Sequence, residues 1–352
     1  MKLEKINYHE VTGSILLVLP KYIGDAINTT PTIGMLRALF PDKKIILLVR
    51  AYLAPLFERD DRFDVTVLVD HRYTAKSRLS LIKQAKLIKS YRCELAIVMR
   101  NSFSDALLCW LSGIHYRIGY RNEGRSFLLT HAYYLHPYRH YLQRYAFLAN
   151  EPFGRPFEQM PSTYLFSKPQ SVGKPSRQLK VGVYFGGKNK GLRHYPSDLG
   201  IQTLLMISAE LNCKFWVFGD ENEAKDNAVL VDALELHHRG VVDFSGKTSL
   251  IELVDGIASI DVLLTIDSGP LHMAAAVDTP YVAIVGLGTS PWSMVEPKER
   301  SGVSLFANGL GLVDADLIRN ITPERVLAAT LSLGLSYDNE CNVFQTKQCV
   351  NE

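Results

Sequence analysis

Residues 260–286 read IDVLLTIDSGPLHMAAAVDTPYVAIVG, and the parsing of that stretch decides the fold. Val262 to Ile266 is a short apolar run, the mark of a strand covered on both faces of a parallel sheet. Asp267-Ser268-Gly269-Pro270 follows without a spacer and opens a helix of small residues, Leu271 to Val277, since Pro is accepted in a first helical turn and Ser is a favoured cap. Tyr281 to Val285 then returns to the sheet. The unit collects polar groups at the carboxyl end of its first strand. Open α/β sheets bind ligands at that edge, and helix N-termini there favour phosphate. A plain βαβ unit whose Asp and Ser only cap the helix accounts for the pattern equally well.

The chain around it is 352 residues long, enough for two domains with separate cores. Hydrophobic residues make up 47% and charged ones 21%, the balance of a soluble globular protein, and no apolar run is long enough to span a bilayer. The opening MKLEKINYHEVTGS mixes acids with bases and lacks the apolar core of a signal peptide, so the expected location is the cytoplasm. A net charge of +3 is too small to argue for nucleic acid as a partner. Five cysteines (Cys93, Cys109, Cys213, Cys341, Cys349) show neither a CxxC pair nor metal-ligand spacing and read as free thiols. Between His71 and Cys93, however, stand seven cations, Arg72, Lys76, Arg78, Lys83, Lys86, Lys89 and Arg92, with no carboxylate. They are either a solvated helix face or a surface for an anionic partner, and Leu79, Ile82, Leu87 and Ile88 are expected to pack inward either way.

In chain order, Ile15 to Leu19 reads as a buried strand, 20–25 as a loop, Ala26 to Leu39 as one helix and Lys44 to Val49 as the next strand, a right-handed βαβ start. Val65 to Val69 and Leu95 to Met99 continue as strands; Leu79 to Ser90 and Ser104 to Ser112 are helical. Residues 151–176 read as a linker. A second α/β unit starts at the strand Lys180 to Phe185 and runs into Gly186-Gly187, where backbone amides could approach a phosphate, although the dinucleotide and P-loop patterns are absent. Gly246-Lys247-Thr248 invites an ATPase reading, yet Val241 stands where the P-loop needs its upstream glycine. Thr248 is the expected cap of the helix that follows. Gly286 to Arg300 reads as a loop, Thr322 to Leu333 as a helix, and Asp314-Ala315-Asp316 has the D-x-D form of metal-dependent transferases, for which turn or cap roles are favoured.

Asp267-Ser268-Gly269-Pro270-Leu271-His272-Met273-Ala274-Ala275-Ala276 closely resembles the D-[ST]-G-x-x-H-x-A-A-A signature of glycosyltransferase family 9, the heptosyltransferases of lipopolysaccharide synthesis. Three further segments resemble that family in the right order: Leu19 to Ile33 with its Gly24-Asp25 pair and Pro31, Gly113 to His131 (GIHYRIGYRNEGRSFLLTH), and Phe244 to Leu253 (FSGKTSLIEL). The resemblance, covering about Ile15 to Leu333, implies two Rossmann-like domains facing each other across a cleft, the GT-B arrangement. We expect an acceptor-binding domain at residues 1–165, a donor-binding domain at 166–335 and a tail of unknown structure at 336–352.

The resemblance also implies a chemistry: an inverting, metal-independent transferase that moves a heptose from ADP-L-glycero-D-manno-heptose to a lipopolysaccharide core acceptor, with no cofactor besides the donor substrate. Asp25 is the expected catalytic base. Arg193, where the family has a basic residue before an aromatic-Pro, is expected on the donor phosphate, as a planar fork rather than a point charge. Gly187, Glu223, Lys247, Thr248, Asp267, Ser268, Gly269 and His272 complete the expected donor set, although Glu223 by itself reads more readily as an exposed acid at a helix start. Lys76, Lys83, Lys86 and Arg121 are the expected acceptor side, Arg121 as one of a cluster with Arg117 and Arg125, and no metal ligand is expected. The acceptor's lipid portion implies peripheral contact with the cytoplasmic face of the inner membrane. A sugar-nucleotide epimerase of the same architecture, or a non-catalytic nucleotide-sugar binding protein, are the other readings; incubation with donor and acceptor separates the three.

Overall fold

The computed structural model describes residues 4–60, 64–74, 78–169, 178–237, 240–288, 290–298, 302–307 and 313–335 of the chain. Lys76 and the tail from 336 lie outside them. The first sheet holds β1 (Ser14–Val18), β2 (Ile45–Val49), β3 (Val65–Val69), β4 (Cys93–Val98), β5 (Tyr116–Tyr120) and β6 (His131–Tyr133) in the order β3-β2-β1-β4-β5-β6. The second holds β7 (Leu179–Tyr184), β8 (Cys213–Val217), β9 (Val241–Asp243), β10 (Val262–Ile266), β11 (Tyr281–Val285) and β12 (Gly302–Phe306) in the order β12-β11-β10-β7-β8-β9. Among the described residues every pairing is parallel. Counted from its own first strand, each sheet has the same order, 3-2-1-4-5-6 read from one edge. The order reverses between β1 and β4 in one half and between β7 and β10 in the other. Crevices for ligands open at such reversals, on the carboxyl side.

The helices of the first half are α1 (Ile23–Ile27), α2 (Thr30–Leu39), α3 (Pro55–Glu58), α4 (Leu81–Ser90), α5 (Phe103–Leu111) and α6 (Tyr141–Asn150). Those of the second are α7 (Ser197–Glu210), α8 (Ala224–Glu235), α9 (Leu250–Ile257), α10 (Gly269–Ala276), α11 (Trp292–Val295), α12 (Asp314–Leu317) and α13 (Pro323–Ser332). The central strands β2 and β10, and most of β1, β4 and β11, are buried along their length, which is why continuous apolar runs reported them.

Several local expectations need correction. The single helix expected over 26–39 is two, because Pro31 enters the first turn of α2 and lacks the N–H a continuing helix needs. Thr29 and Thr30 hydroxyls donate to the carbonyls of Ala26 and Ile27 at the break, at 2.6 and 2.8 Å. The cap of α9 is Ser249, in a capping box with Glu252, not Thr248. The loop expected over 286–300 contains α11. Beyond it, β12 is half-exposed at the sheet edge, so its residues carry no continuous apolar signal. Ile82 points outward at 61% exposure instead of packing inward, because Gln84, Ala85 and Ile88 form the buried side of α4.

Two of the arginine readings also change. Arg72 is no part of the surface run: it is buried and ion-paired with Asp70 and Asp105, and Arg100 joins the same network through Asp70 at 2.8 Å. Arg125 is fully buried, donating to the carbonyls of Tyr120, Arg100 and Ser102, while Arg117 donates to those of Leu128, Ile114 and His115. Both guanidiniums hold the β5–β6 region together and are not an anion cluster with Arg121.

Candidate active site

The carboxyl edges of the two sheets enclose a cleft of about 750 Å³. Its walls include Gly24 and Asp25 from the first half and Arg193, Thr248, Asp267, Ser268, Gly269 and His272 from the second. Segments far apart in sequence meet because each leaves its sheet beside the strand-order reversal: Gly24-Asp25 follows β1, residues 186–193 follow β7, and Asp267-Ser268 follows β10.

Asp25 occupies the first turn of α1, half-buried. Among the described residues its carboxylate makes no hydrogen bond, so it does not cap the helix. Burial lifts its pKa from the ordinary 3.8 to about 6, against the opposing charge of Arg144. Across the cleft, His272 is buried on α10, and burial, with His140 adding to it, pushes its pKa down to about 4. Its imidazole is therefore neutral at neutral pH.

The two loops touch because both motif glycines lack side chains. A Cβ on Gly24 would stand 2.5 Å from His272 Cδ2, and one on Gly269 would stand 3.1 Å from Ile23 Cγ2. Packing of α1 on α10 depends on those absences. Gly24→Ala is accordingly expected to overpack this contact and lower stability by about 1–3 kcal/mol, read as a shift in urea midpoint. An unchanged midpoint would show that the imidazole yields freely.

On the second half, Arg193 closes the 3-10 segment Lys188–Arg193 and donates to the Asp267 carbonyl at 3.1 Å. Its other N–H groups make no bond among the described residues. Burial raises the pKa of Asp267, with Arg193 opposing. Ser268 holds the N-cap position of α10 but makes no capping bond; its hydroxyl donates back to Ile266 O at 3.4 Å. The first amides of α10 thus remain uncapped beside Ser268 and Gly269, which line the cleft.

Lys190 also lines the cleft, and the sequence reading missed it, although a cation between two motif positions at a strand end was a usable signal. Its ammonium pairs with Glu223 at 3.0 Å. Glu223 is fully buried and not an exposed acid: it accepts from the Tyr184 hydroxyl at 2.9 Å and the Asp220 amide at 3.0 Å. It supports Lys190 from beneath the cleft wall.

Other expected residues lie apart. The Gly187 turn is closed by Asp226, whose carboxylate accepts from the Lys188 amide at 2.8 Å. Lys247 points to solvent and pairs with Asp243 at 2.9 Å. Arg121 borders a different cavity, of about 740 Å³, at the β6 edge with Tyr133, Glu151 and Arg155. Lys83 and Lys86 are exposed on α4 and do not line the cleft. Asp314 and Asp316 fall in the first turn of α12, and no described group of three or more His, Cys, Asp or Glu residues could hold a metal ion. Among the described residues Cys93, Cys109 and Cys213 form no disulfide.

Contacts between the halves frame the cleft. Arg59 forms a two-pronged ion pair with Asp255, at 2.6 and 2.8 Å. The Tyr141 hydroxyl meets Ser290 Oγ at 3.2 Å, and His140 Nε2 lies 2.9 Å from Glu296 O.

The profile of glycosyltransferase family 9 (heptosyltransferase) matches residues 81–293. Lipopolysaccharide heptosyltransferase 2 of Salmonella typhimurium is 24% identical over 344 residues, spanning 91% of this chain and 98% of the relative. Among solved structures, E. coli ADP-heptose lps heptosyltransferase II superposes with a TM-score of 0.78 at 22% identity, covering 91% of this chain and 98% of that one. A glycosyltransferase family 9 protein from Veillonella parvula gives 0.81 at 17% identity, with 94% and 99% covered. These likenesses show the fold, and the expected two-domain GT-B arrangement is the observed one. No helix among the described residues is long and apolar enough to cross a membrane.

Proposed function

Because the chain belongs to glycosyltransferase family 9, the heptosyltransferases, and is a glycosyltransferase, we propose that it moves a heptose from an ADP-activated donor to a lipopolysaccharide core acceptor with inversion, at the cytoplasmic face of the inner membrane. The observation that carries this reading is the juxtaposition of the Asp25 carboxylate and the uncapped start of α10 in one cleft. The relatives' descriptions support the donor and acceptor: one is an ADP-heptose lps heptosyltransferase, another a lipopolysaccharide heptosyltransferase. Of the three readings open to the sequence, family membership favours transfer over epimerisation or silent binding.

In this reaction an acceptor hydroxyl attacks the anomeric carbon from the face opposite the leaving group. Asp25 takes its proton, the new C–O bond forms, and the bond from the anomeric carbon to the diphosphate oxygen breaks. The departing ADP gains charge, which Arg193, Lys190 and the amides of α10 are placed to meet without a metal or further cofactor. Neutral His272 adds no competing charge beside the base. Enclosure between the halves keeps activated sugar from water.

The test is incubation with ADP-heptose and a lipopolysaccharide core acceptor, before and after chelation with EDTA. Acceptor-linked heptose of inverted configuration, formed at an unchanged rate after chelation, is the expected result. A rate that collapses on chelation would sink metal independence, and donor consumption without acceptor product would sink the transfer itself.

A further inference from the structure

The face of α4 and α5 turned away from the first sheet carries an apolar surface that the fold does not use. Inward, these helices pack through Ala85, Ile88, Ala106, Leu108 and Cys109. Outward stand Ile82 at 61% exposure, Phe103 at 40% and Trp110 at 52%. The 3-10 turn Ser126–Leu128, packed against α5, adds Phe127 at 74%. The rings of Phe103 and Phe127 are in contact, with centroids 6.1 Å apart. Single exposed apolar residues are ordinary; several large ones gathered from three neighbouring elements mark a surface that something covers.

The charge around this surface has one sign on the helices. Lys83, Lys86 and Lys89 are exposed on α4, which carries no carboxylate, and among the described residues they form no ion pair. The one carboxylate of α5, Asp105, is buried against Arg72. Glu123, before the 3-10 turn, is the exposed acid nearest in sequence to Phe127. Tryptophan and phenylalanine beside unpaired lysines match the boundary of an anionic bilayer, where rings enter between headgroups and ammonium groups meet lipid phosphates.

We propose that the α4–α5 face docks this chain on an anionic lipid bilayer. The inference rests on the membrane-side reading given above and assigns it a surface. α5 begins at Phe103, shortly after β4 ends at Val98, so the Phe103 end of this face stands at the same carboxyl edge of the first sheet as Gly24-Asp25, and a bilayer there approaches the cleft from that edge. A lipid-anchored acceptor then reaches Asp25 without leaving the membrane.

The test is co-sedimentation of the full chain with vesicles of phosphatidylethanolamine and phosphatidylglycerol, against phosphatidylcholine as the uncharged control. Wild type is expected to bind the anionic vesicles selectively. The Lys83→Gln/Lys86→Gln/Lys89→Gln variant should partition on the order of 10²-fold more weakly, roughly fivefold per lysine. Trp110→Ser/Phe127→Ser should lose vesicle binding while keeping its melting temperature and its turnover on a lipid-free core oligosaccharide. The proposal is overturned if wild type ignores anionic vesicles, if the apolar variant binds them as wild type does, or if that variant instead splits a wild-type dimer, which would mean that a second copy covers the face. Wild type that transfers heptose but ignores vesicles fails the docking face alone. Vesicle binding without transfer supports the face and sinks the proposed heptose transfer.

Discussion

Asp25→Asn is expected to lower turnover by roughly 10²–10⁴-fold with donor affinity unchanged, the range lost when a positioned general base is removed. It is also expected to make the protein more stable at about pH 8. The reason is burial. An unfolded aspartate ionises near 3.8, whereas Asp25 in the fold ionises near 6. Native-state stability is therefore unpenalised below about 3.8, falls as pH rises through the interval, and stays lowered by up to about 3 kcal/mol above 6. Asn removes that penalty. The same elevation makes the carboxylate a stronger base while leaving it ionised at neutral pH, so kcat/KM should rise through about pH 6 and level off above it. Urea titrations and a pH–rate profile check both halves. Normal turnover in the variant would remove Asp25 from the chemistry, and a variant less stable than wild type at about pH 8 would remove the burial penalty.

Arg193→Ala is expected to weaken binding of ADP by about 10- to 100-fold while changing adenosine binding little, because a charge-assisted hydrogen bond to phosphate is the interaction removed. The geometry favours this assignment: one N–H of the guanidinium is fixed on the Asp267 carbonyl, which aims the rest of the fork along the cleft beside the start of α10. Arg193→Lys should recover only part of the loss, since an ammonium cannot keep the carbonyl contact and a two-pronged phosphate contact together. Calorimetry with both ligands reads the difference. Equal losses for ADP and adenosine would mean that the substitution deforms the domain instead.

The central strands, the α10 turn and the Gly24-Asp25 loop were legible in the sequence because each is written locally: a strand buried on both faces is a continuous apolar run, and a loop that must approach another backbone needs glycine. The motif glycines even carried the contact between halves, though not its partner. Legibility ended where a residue's role depends on what lies opposite it. Glu223 reads as a surface acid until Lys190, Tyr184 and the Asp220 amide close around it. Arg117 and Arg125 read as a charge cluster until distant carbonyls take their donors. Ile82 follows an inward spacing until the neighbouring helix fixes which side of α4 is covered. By itself, then, the sequence determined the buried central strands and which loops carry the reactive groups, while the half-exposed edge strand β12 carried no such signal. Only the tertiary structure decided which charges are buried and paired and which face a ligand, because desolvation and pairing are set by neighbours tens to hundreds of residues away, whereas strand and turn preferences are set by the few residues on either side.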